Sequence, residues 1–118
     1  MSISDARAKA KEAQTVYNKN KTIGYQTKAI DAYNNWARAV LKDKNASPDQ
    51  IGECINSMRV ICSGNNSSSV RFLIDSNPSI TDIDKMPAAD LLSELQKRYN
   101  AASKEIASLY YTGGSTYV

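Results

Sequence analysis

Two cysteines, a close pair of aspartates, and a set of basic side chains interleaved with tyrosines are the residues of this chain that could do chemistry. Cys54 and Cys62 stand eight positions apart, about 12 Å of rise on a helix at ~1.5 Å per residue. A disulfide needs Cα atoms within roughly 7 Å, so the two do not bridge each other on one helix. A reactive thiol would need an exposed, electropositive setting. A position in mid-helix (Cys54) or near a helix C-terminus (Cys62) disfavours the thiolate, so both read as small buried hydrophobes.

The chain has no histidine. That removes serine–histidine and cysteine–histidine nucleophilic arrangements and the commonest metal ligand. Asp82 and Asp84 are close enough to suggest cation binding, but Asp82-Ile83-Asp84-Lys85-Met86 lacks the glycine and closing glutamate of a calcium loop. Acids ahead of a helix complement its dipole, and that is the role expected of them. No glycine-rich phosphate loop occurs. The expectation is a protein without catalytic residues, cofactor or metal.

What remains is binding. Arg7, Lys9, Lys11, Lys19, Lys21 and Lys28 surround Tyr17 and Tyr25. Cations beside aromatic rings suit phosphate contact and base stacking, so Arg7, Lys11, Tyr17, Lys19, Lys21, Tyr25 and Lys28 are the candidate contacts to nucleic acid or a small anionic ligand such as a nucleotide. Net charge is only +3, with nine of fifteen Lys/Arg and four of twelve Asp/Glu in residues 1–44, a local balance of +5. Tyr110 and Tyr111 near the end of the last helical pattern, and Tyr117 in the terminal Ser115-Thr116-Tyr117-Val118, are the candidate contacts to a protein partner.

These side chains must be positioned by helices. Ile3, Ala6, Ala10, Ala13 and Tyr17 recur at steps of three and four, which predicts a first helix from Ser2 to about Asn18 with an alanine-rich stripe. A second helix, from Thr22 or Tyr25 to Lys44, carries Ile30, Tyr33, Ala37 and Val40, widened by Ala29, Trp36 and Leu41. Ser47-Pro48-Asp49-Gln50 is a capping box that opens a third helix, and Gly64 is its expected stop. Val70–Ile74 is too short an apolar run for periodicity to separate helix from strand, and a short helix is the expectation. A long last helix starts at Pro87 and reaches about Tyr111, with Ala88, Leu92, Leu95, Tyr99, Ala102, Ile106 and Leu109 in a heptad stripe.

The fold class expected is all-α, a compact bundle of four to five helices over residues 1–111, with a tail over 112–118. Apolar runs are far shorter than the ~20 residues of a membrane span, and the N-terminus has no apolar core of a secretory signal. A cytoplasmic protein is expected, or a virion component if the chain is viral. The expected function is that of a non-enzymatic interaction or assembly protein that self-associates, of the structural, adaptor or inhibitor kind that viruses encode. The alternative is binding of nucleic acid or a small anion through the basic N-terminal half.

Overall fold

The computed structural model describes residues 2–63 and 82–111, with the side chains of 2–60 and 82–104. Within them the protein is an all-α bundle: α1 (Ile3–Lys19), α2 (Ile23–Lys42), α3 (Pro48–Ser63), a 3-10 turn at Ile83–Lys85, and α4 (Ala88–Tyr111). The expected short helix at Val70–Ile74, the stop at Gly64 and the tail with Tyr117 lie outside the described residues.

The first three helix starts have a local cause. Ser2 accepts a hydrogen bond from the Asp5 amide, and Thr22 accepts one from the Tyr25 amide, so both satisfy donors that a helix N-terminus leaves open. At α3 the capping box is complete. The Gln50 amide donates to Ser47 Oγ at 3.1 Å, and the Ser47 amide donates to Gln50 Oε1 at 2.9 Å.

α2 is the central helix and packs against α1, α3 and α4. The order of partners along each helix fixes the directions. Arg7 meets Glu53 and Lys11 meets Ser57, so α1 and α3 run parallel, while Gly52 abuts Tyr99 and Arg59 bonds Gln96, so α3 and α4 run antiparallel. The described helices therefore run up, down, up and down, with short connections from α1 to α2 and from α2 to α3. Ala6 and Ala10 of α1 let it approach α2 closely, and Ala29, Tyr33, Trp36, Ala37 and Val40 fill the centre with Ile51, Cys54 and Met58 of α3. The Tyr33 and Trp36 rings lie 5.7 Å apart at 41°, a tilted aromatic pair.

In α4 the buried face differs from the heptad stripe. Leu91 is fully buried beside Ala88 and Leu95, whereas Leu92, Tyr99 and Ala102 are half-buried at its flank. The cause is that α4 lies against both α2 and α3, which requires a wider apolar face than a two-helix seam. In the same way Ile30 is only half-buried, because the smaller Ala29 takes the central position on α2.

Two arginines close the end of the bundle where α2 finishes. Arg38 donates to the carbonyls of Ile83 and Met86, holding the 3-10 turn, and Arg98 donates to the carbonyls of Leu41 and Asp43. The last carbonyls of a helix have no intrahelical partner, and a guanidinium there also opposes the dipole. Lys42 pairs with Asp84 across the same end. Among the described residues no helix is long and apolar enough to cross a membrane.

Candidate functional site

The opposite end of the bundle is built differently. From Ala13 to Ile30 the chain contains no aspartate or glutamate, and this stretch forms the end of α1, the turn Asn20–Thr22 and the start of α2. It carries Lys19, Lys21 and Lys28, all exposed. Among the described residues none of the three makes a salt bridge. Lys21 Nζ sits 5.4 Å from the centre of the Tyr17 ring, and Lys28 Nζ sits 5.7 Å from that of Tyr25. Both distances are within cation–π range. Tyr25 is exposed, while Tyr17 is half-buried against the core. The first turn of α2 has no acidic residue, so the positive end of its dipole adds to the lysines rather than being neutralised.

Two exposed apolar residues belong to this end and are absent from the sequence reading. Ile23 is 81% exposed, and Val16 is also on the surface. Ile23 lies in the first turn of α2, at the extremity of the α1–α2 hairpin, and among the described residues no other helix covers it. Periodicity identifies a helix face but not where that face outruns its partner.

The other two cations of the candidate set have partners inside the bundle. Arg7 holds Glu53 through two hydrogen bonds of 2.8 Å, from Nε to Oε1 and from Nη2 to Oε2. Those bonds, with the charges of Arg7 and Lys11, keep the Glu53 carboxyl below the usual carboxylate range. Lys11 donates to Ser57 Oγ at 3.4 Å, and its Nζ lies 5.5 Å from the centre of the Trp36 ring. The sequence set therefore divides in two: Arg7 and Lys11 tie α1 to α3, and Tyr17, Lys19, Lys21, Tyr25 and Lys28 form one charged end.

Asp82 and Asp84 have local partners. Asp82 Oδ1 accepts from the Asp84 amide and caps the 3-10 turn, and Asp84 is held below its usual range by its hydrogen bond with Lys42. Among the described residues no three Cys, Asp or Glu side chains gather as metal ligands. Cys54 is fully buried, and burial pushes its thiol up to about 12, with the charge of Glu53 adding to the effect. A thiol in that state is protonated at neutral pH and out of reach of a substrate. The side chains of Cys62, Tyr110 and Tyr111 lie outside the described residues.

No family model, curated protein or solved structure matches this chain.

Proposed function

We propose that this chain is a non-enzymatic binding protein that takes up single-stranded nucleic acid at the end formed by the α1–α2 turn. One observation carries the reading: an acid-free stretch, Ala13 to Ile30, in which lysine ammonium groups and tyrosine rings alternate within cation–π distance. A strand presents phosphates and flat bases alternately along its length. Lysines answer the first and tyrosine rings the second, without any demand on sequence. A double helix hides its base faces, so the rings favour a single strand over a duplex. An ammonium drawn from its tyrosine to a phosphate leaves that ring face open to a base.

Fluorescence anisotropy of a labelled mixed-sequence oligonucleotide tests the reading. Binding at low salt that weakens steeply as salt rises is expected, with single strands preferred over duplex. No binding at 50 mM salt ends it.

Self-association through α4 is the competing reading. Within the described residues the heptad positions from Ala88 to Ala102 pack on the chain's own core, which favours an internal role for that stripe. Light scattering after size exclusion separates the two, since a defined oligomer without strand binding would restore the assembly reading.

A further inference from the structure

Among the described residues four large apolar or aromatic side chains are exposed: Val16, Ile23, Tyr25 and Val60. Three of the four fall within residues 16–25, the end that carries Lys19, Lys21 and Lys28. On the strand reading of the turn, on which this rests, we infer that Ile23 is an apolar contact for the strand, inserted between bases stacked on Tyr17 and Tyr25.

Single exposed apolar side chains are ordinary on a protein surface, so exposure alone assigns nothing. Ile23 is set apart by degree and by place. It is 81% exposed, against 37% for Val16 and 38% for Tyr25, and it belongs neither to the core nor to the side chains packed against it. The start of α2 is secured by Thr22, which accepts from the Tyr25 amide, and does not draw on the Ile23 side chain. In the chain Ile23 stands between the two cation–π pairs, Lys21 with Tyr17 and Lys28 with Tyr25. Ile23 and Tyr25 project ~200° apart around α2, at about 3.6 residues per turn. A strand touching both therefore crosses the N-terminal end of the helix.

The surroundings say what covers such a residue. No carboxylate occurs from Ala13 to Ile30, so the lysines there call for an anionic occupant. A single strand brings phosphates and apolar base faces within one nucleotide of each other. Aliphatic side chains can wedge between neighbouring bases, and the unstacking this costs is least when the bases are already unpaired. An anionic bilayer also combines charge with apolar surface. One isoleucine, however, is far smaller than the single acyl chain that gives only marginal anchoring, so the strand is the better occupant. The wedge also makes part of the affinity independent of salt, which the lysines cannot do.

Anisotropy titrations of the full chain with the labelled mixed-sequence oligonucleotide, at several salt concentrations, test the contact. Ile23→Ser is expected to weaken binding about fivefold, as uncovering half of an isoleucine side chain implies, and by the same factor at every salt concentration. Ile23→Leu keeps the apolar volume and is expected to bind as the parent does. Val60→Ser, at a side chain 61% exposed on α3, is expected to change nothing, which places the loss at the turn. Thermal melts of Ile23→Ser should match the parent, because the side chain is on the surface.

Unchanged affinity in Ile23→Ser, or an altered salt slope, overturns the contact. The triple variant Lys19→Gln, Lys21→Gln, Lys28→Gln separates that failure from failure of the strand reading. If the triple variant loses binding and Ile23→Ser does not, the turn remains a strand site without the wedge. If the parent binds no strand, both fall. Phosphatidylserine vesicles that retain the parent and release Ile23→Ser, with oligonucleotide binding unaffected, would make Ile23 a lipid contact and also overturn the inference.

Discussion

The salt dependence of strand binding can be worked out from the charges at the turn. Among the described residues Lys19, Lys21 and Lys28 are exposed cations of that end without a salt bridge. Each phosphate neutralised on a single strand contributes about −0.7 to the slope of log K against log salt, so three contacts give a slope of about −2. Between 50 and 200 mM salt the affinity should then fall roughly twentyfold. Replacing Lys21 by Gln should flatten the slope to about −1.4, and replacing all three should abolish it. Tyr25→Leu should act on a different quantity: it should cost about 1–3 kcal/mol of stacking while leaving the slope unchanged. Anisotropy titrations of a labelled oligonucleotide at four or five salt concentrations measure both. Surface substitutions of this kind move stability by only about 0.5 kcal/mol, so loss of binding is not loss of fold. A slope near −3.5 would mean that Arg7 and Lys11 leave their partners on α3 to join the contact. A slope that persists in the triple variant would refute the assignment of the turn.

The remaining predictions concern the scaffold. Leu91→Ala should destabilise by about 3–5 kcal/mol in urea unfolding, and Leu92→Ala by clearly less, since only Leu91 is fully buried; equal effects would contradict the packing of α4. In a Cys62→Ser background, native Cys54 should react with iodoacetamide only as fast as the protein opens, because its thiol is buried and pushed up to about 12. Rapid native labelling near pH 8 would show it exposed. Glu53 and Asp84 are depressed below their ordinary values, by Arg7 and Lys42 respectively, so their ion pairs contribute at neutral pH. That contribution should be lost as pH falls through the lowered folded-state values, and the Glu53 share of it should be absent in Glu53→Gln, as thermal melts across pH 2–6 would show.

Features set by neighbours in the chain were legible in the sequence, and those set by distant partners were not. Ser47, Pro48 and Gln50 act on backbone groups within three residues, so the α3 cap follows from the letters alone. The alanine stripe of α1 was equally local. Leu91 and Leu92 differ by one position, and a helical period cannot rank them until it is known that α4 lies between two helices. The candidate site shows the same division. Seven residues were identified by type, but the partner of Arg7 is 46 positions away, so the sequence could not separate a bridging cation from a free one. The exposure of Ile23 was hidden too, because it depends on where the helix beside it ends.

Arg38 and Arg98 mean that the two ends of the bundle are held by different means. Backbone carbonyls at the far end are clamped, while the lysine-bearing end is a short turn between two helices anchored along their length. On the proposed reading, a strand arriving there would meet a preformed surface and need only side chains to adjust, which would keep the entropic cost of association low. Encounter should then proceed as rigid-body docking, with dissociation rather than any rearrangement setting the lifetime of the complex.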